Sequence, residues 1–165
     1  MAIKMKVEMV SPTPQHTERI GSVLGKMLEG GEIIALSGEL GSGKTTLVRG
    51  IAHGMGFNRD EIASPSFTLI NEYDGPLPLF HIDLYRLEGE RDLYEIGYEE
   101  YVGGNGAVVI EWADKVPQAV PKECLWITLK YLDDKRREIV MWAEGEKYDK
   151  LIEELRQKLY NKKLL

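Results

Sequence analysis

A short glycine-rich stretch carries the most recognisable chemistry in this sequence. Residues 38–45, Gly-Glu-Leu-Gly-Ser-Gly-Lys-Thr, match G-x-x-x-x-G-K-[ST] at every fixed position. Glycines let the backbone curl so that successive N–H groups point at phosphate oxygens, and the helix that follows presents its positive N-terminus to the same anion. Lys44 is the expected charge for the β- and γ-phosphates, Thr45 the expected Mg²⁺ ligand, and Thr46 the expected contact near the α-phosphate. The spacing therefore predicts a site for ATP or GTP with Mg²⁺.

Hydrolysis or transfer of a phosphoryl group also needs an acidic residue at the end of a neighbouring strand, to hold Mg²⁺ or to orient water. Two residues compete for this role. Asp83 ends the apolar stretch 79–82, and Glu111 ends the more uniformly apolar stretch 107–110. Because the second stretch better resembles a strand buried on both faces, the sequence ranks Glu111 slightly higher. Each acid has the alternative of being a surface carboxylate at a strand end.

Other polar and aromatic residues carry weaker signals. The three histidines, His16, His53 and His81, have no Cys or His partner at metal-ligand spacing, so each is interpreted as structural or solvent-facing. Trp112 follows Glu111 and either packs against the nucleotide region or fills the core. The basic run 135–137 is interpreted as a solvated turn, with phosphate contact as the alternative.

The elements that must position these residues can be traced in the hydrophobic pattern. Residues 33–36 form a short apolar run before the glycine-rich loop, and apolar residues at helical spacing follow it. Thr13 before Pro14 is typical of a helix N-cap, and Gly30 and Gly31 are predicted to end that helix. Further predicted elements are strands at 3–9, 67–73, 79–83, 107–110, 125–132 and 138–142, a short helix around 93–96 and a C-terminal helix at 147–165.

Length and composition place limits on the function. At 165 residues the chain is expected to form a single domain, residues 1–165. No apolar run approaches the roughly 20 residues that a membrane span needs, so we expect a cytoplasmic protein without membrane contact. The formal charge of −6 argues against a protein that coats nucleic acid by itself. The single cysteine, Cys124, excludes a disulfide within the chain.

Four blocks together closely resemble the TsaE (YjeE) family. They are the loop 38–46, the segment Ser-Pro-Ser-Phe-Thr-Leu at 64–69, His-Ile-Asp-Leu-Tyr-Arg at 81–86 and Val-Ile-Glu-Trp at 109–112. The blocks occur in the family's order and spacing, and the resemblance runs from about Thr13 to Arg137. One departure is Ser66, where many relatives have threonine. Because serine keeps the hydroxyl, we expect the function to persist.

The resemblance implies a bacterial ATPase needed for the threonylcarbamoyl modification of adenosine in tRNAs that read codons starting with A. Its implied partners are TsaD and TsaB, and tRNA through their complex. The resemblance further implies that TsaD transfers the group and that ATP hydrolysis by the TsaE-like chain resets the assembly. The residues implied to bind ATP phosphates are Gly41, Ser42, Gly43, Lys44, Thr45 and Thr46. The implied magnesium ligands are Thr45 and Glu111, with Asp83 supporting metal or water. The resemblance also implies a switch-like loop at 64–68. It places Thr13 and Thr17 near the adenine and Arg137 near the nucleotide.

Two other functions remain open from the residues alone. A small-molecule kinase would share the glycine-rich loop, although no arginine-rich lid is found between Gly103 and Leu132. A nucleotide-gated binding module with negligible hydrolysis fits the same residues. Under each of them the expected fold is a three-layer α/β P-loop NTPase-like domain, with a mainly parallel central sheet flanked by helices and an added antiparallel hairpin.

Overall fold

A single mixed sheet of seven strands organises the molecule. The computed structural model describes residues 5–63, 69–95 and 97–165. The strands are β1 (Lys6–Ser11), β2 (Ile33–Ser37), β3 (Ile70–Tyr73), β4 (Leu79–Asp83), β5 (Ala107–Glu111), β6 (Cys124–Tyr131) and β7 (Arg137–Glu144). The α-helices are α1 (Pro14–Met27), α2 (Lys44–Gly54), α3 (Glu90–Glu95), α4 (Tyr98–Val102) and α5 (Glu146–Asn161).

The strand order, β1-β7-β6-β2-β5-β4-β3, puts the parallel part of the sheet in the middle. The strand β2 pairs in parallel with β5 and with β6, and β4 pairs in parallel with β5. All five residues of β2 and of β5 are buried, as expected for strands covered on both faces. The expected hairpin is β6–β7, and antiparallel β1 and β3 complete the two edges. The predicted fold class is confirmed.

Helices cover both faces of this sheet, which gives three layers. One apolar cluster joins alternate strand residues such as Ile34 and Leu36 to the helices α1, α2 and α5. The other joins Ile33 and Ala35 to α3 and α4. Because successive strand residues point to opposite faces, each central strand contributes to both clusters.

Helix α1 begins as the sequence predicts, but it ends earlier. Thr13 is the N-cap, and its hydroxyl accepts a hydrogen bond from the N–H of His16 at 3.1 Å. Pro14 occupies the first turn, where its missing N–H leaves no bond unmade. The helix ends at Met27 with Leu28 as C-cap, so the prediction that Gly30 and Gly31 terminate it is wrong by about one turn.

Four glycines bring α1 and α2 unusually close together. A Cβ atom on Gly21 or Gly25 of α1 would lie 2.5 or 2.0 Å from a backbone carbonyl oxygen of α2. A Cβ atom on Gly50 or Gly54 of α2 would lie 2.0 or 2.2 Å from a carbonyl oxygen of α1. The two helices therefore pack backbone against backbone, and α2 is held directly after the glycine-rich loop from which it starts.

The C-terminal helix covers the sheet beside α1, but it is shorter than predicted. It ends at Asn161 rather than continuing to 165, because Lys163 adopts a left-handed conformation with φ of 60°. Leu164 then donates its N–H to the carbonyl of Leu159, as in a Schellman cap, and its own carbonyl accepts a bond from His16 Nε2 at 2.9 Å. Among the described residues, no helix combines the length and hydropathy needed to cross a membrane.

Candidate functional site

The glycine-rich loop, residues 38–43, connects the buried central strand β2 to helix α2. Its conformation depends on glycine at its first position. Gly38 has φ of 151°, and a Cβ atom there would lie 2.5 Å from Ser42 Oγ and 2.6 Å from the carbonyl oxygen of Leu129. Gly41, with φ of 80°, differs because nothing lies within 4 Å of its Cβ position. The loop is thus packed against β6 at its base and open at its tip.

Helix α2 starts directly from this loop and has no side-chain cap. Its N-cap is Gly43, in a left-handed conformation with φ of 100°, and no side chain accepts a bond from the first turn at that cap. Backbone N–H groups at a helix N-terminus, together with the helix dipole, favour anions. The loop tip and the start of α2 therefore form a place where a phosphate can bind.

Lys44, the first residue of α2, is 6% exposed and points back into the loop. Its ammonium group donates to the carbonyls of Gly38 at 2.6 Å and Glu39 at 2.9 Å. The same group lies 4.1 Å from the centroid of the Trp112 ring, a cation–π distance. Burial lowers the pKa of Lys44, and the carboxylates of Glu111, Asp114 and Asp83 act in the opposite direction. The charge is held inside the loop beside acidic residues.

The two competing acids prove to be neighbours. The parallel register of β4 and β5 sets Asp83 opposite Glu111, so both side chains leave the sheet on the same face. Glu111 is only 3% exposed, and its Oε2 accepts a hydrogen bond from Nε2 of the fully buried His81. Asp83 is half-buried, and its Oδ1 accepts the N–H of Tyr85 at 2.9 Å. The interpretation of His81 as solvent-facing is thereby excluded.

The environment of Asp83 perturbs its ionisation. Burial raises its pKa above the ordinary value of 3.8. The hydrogen bond from the Tyr85 N–H acts to lower that pKa, while the negative charge of Glu111 acts to raise it further. A carboxylate that is hard to ionise next to another carboxylate is a good partner for a bound cation, because a cation relieves both effects.

An aromatic pair closes the side of the site next to β4. Trp112, directly after β5, has a left-handed backbone with φ of 58°, which is uncommon for a bulky residue. Its ring lies 4.9 Å from the ring of Tyr85, and the side chain of Lys115 donates to the Tyr85 carbonyl. Of the two alternatives open from the sequence, packing at the site or filling the core, Trp112 meets the first because it lies at the site. It also packs against the apolar cluster that contains α3.

Arg137 approaches the loop from the opposite side. The first residue of β7, it donates from Nη2 to the carbonyl of Gly41 at 3.1 Å and stacks 4.6 Å from the Tyr131 ring. Its Nε is buried and has no hydrogen-bond partner among the described residues. Lys135 and Arg136 are exposed, and Arg136 pairs with Asp133, so the solvated-turn interpretation holds for them but not for Arg137.

These elements enclose a cavity of about 350 Å³, here named the loop cavity. Its lining includes Leu40, Gly41, Gly43, Lys44, Thr45, Thr46, Asp83, Tyr85, Glu111, Trp112 and Arg137. A volume of that size suits a small-molecule ligand. A larger cavity of about 550 Å³ beside the edge strand β3 has acidic and aromatic walls, with no lysine or arginine among its described lining residues. Of these two cavities, the loop cavity is the one whose described lining offers cations, Lys44 and Arg137, to a phosphate.

Among the described residues that were predicted for the site, Ser42, Thr13 and Thr17 are not part of this lining. Ser42 is fully buried beneath the loop, with its Oγ near Gly38. Thr13 caps α1, and its carbonyl accepts bonds from Ser11 Oγ and Thr17 Oγ1. It follows the end of β1, where Ser11 pairs with Arg137. The switch-like segment 64–68 lies outside the described residues.

The sequence reasoning missed two members of the site. Tyr85 was given no role at the site, and His81 was interpreted as structural or solvent-facing, with no link to the acidic residues. A signal for His81 was present, since it lies two residues before Asp83 and must share its face of the strand. For Tyr85 the aromatic contact comes from chain segments nearly thirty residues apart, so the sequence offers no local signal.

Comparisons with known proteins agree with one another. A family model described as "Threonylcarbamoyl adenosine biosynthesis protein TsaE" matches residues 11–139. A Bacillus subtilis (strain 168) protein named tRNA threonylcarbamoyladenosine biosynthesis protein TsaE is 41% identical over 143 residues, covering 86% of this chain and 89% of the relative. A Treponema pallidum (strain Nichols) protein of the same name is 44% identical over 132 residues, covering 80% and 97%.

A solved structure is similar over nearly the whole chain. The crystal structure of YdiB from Bacillus subtilis superposes with a TM-score of 0.80 and 34% sequence identity, covering 96% of this chain and 99% of that one. The family match at residues 11–139 includes the glycine-rich loop, both acidic strand ends and Arg137, whereas α5 lies beyond it.

Proposed function

The chain belongs to the TsaE family, and from that premise we propose that it is a Mg²⁺-dependent ATPase that acts in threonylcarbamoyladenosine biosynthesis on tRNA. One observation carries the proposal more than any other. The register of β4 and β5 brings Asp83 and Glu111 together in the same cavity as Lys44 and the start of α2. That combination of cation, helix N-terminus and paired carboxylates is what Mg²⁺-dependent phosphoryl chemistry requires.

The phosphates of ATP fit the loop tip. Gly41 has open space at its Cβ position, so an anion can approach the backbone there. Lys44 donates to two loop carbonyls at 2.6 and 2.9 Å, and a phosphate oxygen would replace a neutral acceptor with a charged one. An ammonium bonded to a phosphate oxygen gains the attraction of opposite charges, which a neutral carbonyl does not supply, so this exchange favours binding. Gly43 and Thr46, which line the loop cavity, complete the proposed phosphate contacts, and a contact from the buried Ser42 stays a prediction.

Thr45 and Glu111 are the proposed protein ligands for Mg²⁺. A hydroxyl and a carboxylate suit this ion, which usually takes only one or two carboxylates and fills its octahedral shell with water and phosphate oxygens. When bound, Mg²⁺ would offset the negative charge of the phosphates. Asp83 supports the metal or the attacking water; burial and the charge of Glu111 raise its pKa, and a bound cation would oppose both effects.

Arg137 contributes positive charge from the β6–β7 hairpin. Its bond to the Gly41 carbonyl ties the hairpin to the loop, and its Nε remains to be paired. We propose that Arg137 binds the nucleotide at the mouth of the loop cavity. The placement of the adenine near Thr13 and Thr17 stays a prediction.

Within the pathway, we propose that this chain acts with TsaD and TsaB and reaches tRNA through their complex. In this role ATP binding and hydrolysis reset the assembly between turnovers, and TsaD performs the transfer. The proposed setting is the cytoplasm. The net charge of −6 agrees with delegation of RNA binding to a partner.

The test follows γ-labelled ATP with the chain alone and then with TsaB, TsaD and tRNA. Free phosphate is separated from any phosphorylated acceptor. Phosphate release that rises with the partners and accompanies repeated tRNA modification supports the proposal. Label on a small acceptor would indicate a kinase instead. ATP binding without turnover under all conditions would indicate a nucleotide-gated module.

A further inference from the structure

A histidine fully buried in the middle of a strand is unusual in an apolar layer. His81 has no exposed surface and lies on β4 opposite Val109 of β5. Residues two apart on a strand share a face, so His81 lies on the same face as Asp83, and Val109 on the same face as Glu111. The imidazole is thus directly behind the acidic end of the site.

The contact between His81 and Glu111 is specific. His81 Nε2 donates to Glu111 Oε2, and Glu111 is 3% exposed. His81 Nδ1 is buried and has no hydrogen-bond partner among the described residues. A buried polar atom without a partner is unfavourable. An aliphatic side chain would fill this layer without that penalty, so stability alone does not account for a histidine at this position.

The bond also selects between the two oxygens of Glu111. Since Oε2 is occupied by His81, Oε1 is the oxygen that remains for the loop cavity, which Glu111 lines. Without the imidazole, the carboxylate could rotate, and either of its oxygens could face the loop cavity. Partners behind a metal ligand fix its orientation in this way and commonly change metal affinity or activity 10- to 100-fold when removed.

Resting on the proposed function, we propose that His81 is a positioning residue, which holds the Glu111 carboxylate by the Nε2–H to Oε2 bond so that Oε1 faces the Mg²⁺–ATP site. It touches neither nucleotide nor metal. Its contribution is expected in the affinity for the metal and in turnover, and not in the affinity for nucleotide without metal.

Two substitutions separate this role from simple packing. In His81→Leu the donor is lost at similar volume, whereas in His81→Gln the amide nitrogen can replace Nε2 as a donor. Mn²⁺ binding in the presence of ATP is measured from the free-ion electron paramagnetic resonance signal, and metal-free ATP affinity with EDTA. We expect His81→Leu to weaken Mn²⁺ binding about 10- to 100-fold, with the metal-free affinity unchanged, and His81→Gln to restore most of the loss.

Equal Mn²⁺ affinity in His81→Leu and the unmodified chain would overturn the inference while leaving the ATPase proposal intact. So would an equal loss in His81→Gln and His81→Leu. If the unmodified chain binds no ATP, the proposed function itself fails, and this role of His81 fails with it.

Two further measurements do not depend on the folding of one variant. Nitrogen-15 spectra of the imidazole in the unmodified chain should show a protonated Nε2, and an unprotonated Nε2 would overturn the inference. In a Glu111→Gln background, His81→Leu should cause little further loss of turnover, because the two residues act as one unit. A full additional loss would show that His81 acts independently of Glu111.

Discussion

Replacing Gly50 by alanine is the most direct test of how α2 is held behind the glycine-rich loop. A Cβ atom at this position would lie 2.0 Å from the Glu18 carbonyl oxygen and 2.8 and 3.0 Å from the carbonyl carbon and Cα of the same residue. All three atoms belong to the α1 backbone, which cannot rotate away as a side chain can. The helices must therefore separate by about 1.4 Å to lengthen this 2.0 Å approach to an ordinary contact distance.

Two opposing effects set how much Gly50→Ala changes the free energy of unfolding. Alanine in a helix interior is favoured over glycine by about 1 kcal/mol. Overpacking a tightly packed contact costs about 1–3 kcal/mol, and the upper end applies because the overlap is with backbone. The expected net destabilisation is about 2 kcal/mol, or about 4–8 °C in Tm for a chain of this size. Because α2 begins at Lys44, its displacement should also weaken ATP binding.

Thermal unfolding followed by circular dichroism, together with a fluorescence titration of nucleotide, measures both effects. Gly89→Ala is the matched control, since nothing lies within 4 Å of its Cβ position. We expect this control to match the unmodified chain in both assays. A Gly50→Ala variant as stable as the unmodified chain, or more stable, would refute the reasoning, because it would show that α1 and α2 separate without loss.

Three further predictions concern the loop cavity. Asp83→Asn should raise Tm at pH 7, because burial raises the pKa of this carboxyl and its ionised form destabilises the fold. The gain should vanish in thermal melts below the ordinary pKa of 3.8, where the acid is protonated in both the folded and the unfolded chain. Arg137→Ala should raise the Kd for ATP about tenfold by removing a charged donor beside Gly41, whereas Arg136→Ala, on an exposed neighbour, should leave it unchanged in the same titration. Glu111→Gln should lower phosphate release about 100-fold or more with ATP binding retained. Unchanged release would remove Glu111 from the mechanism.

The sequence predicted the local parts of the site and left its long-range contacts undetermined. The glycine-rich loop could be found because its spacing and residue types are contiguous. Asp83 and Glu111 could each be placed at a strand end, but the choice between them stayed open because only the parallel register reveals that they are adjacent. Likewise, residue type and spacing alone could not distinguish Arg137 from Arg136 within one basic run, and only the family resemblance singled it out, since the difference comes from pairing across the hairpin.

The fold class followed from the alternation of buried strands and amphipathic helices, but helix packing did not. Because glycine has low helix propensity, the glycines in α2 give no sequence signal for tight helix packing. Their actual consequence is the close approach of two backbones, which depends on matched glycines in α1 and α2. The sequence also did not predict the early end of α5. A lysine in the left-handed conformation, Lys163, terminates it, and no glycine marks the position.

The strand order of the sheet also affects how this protein folds during its synthesis on the ribosome. Within the described part of the chain, strand β1, residues Lys6–Ser11, pairs with no strand other than β7, residues Arg137–Glu144. Strand β1, which is synthesised first, therefore stays unpaired until β7 has been synthesised, at a rate of about 5–20 residues per second. During that interval its alternate apolar residues, Val7 and Met9, have no sheet to join. Nascent chains should thus carry a reactive strand edge for about ten seconds, a window in which a chaperone could bind.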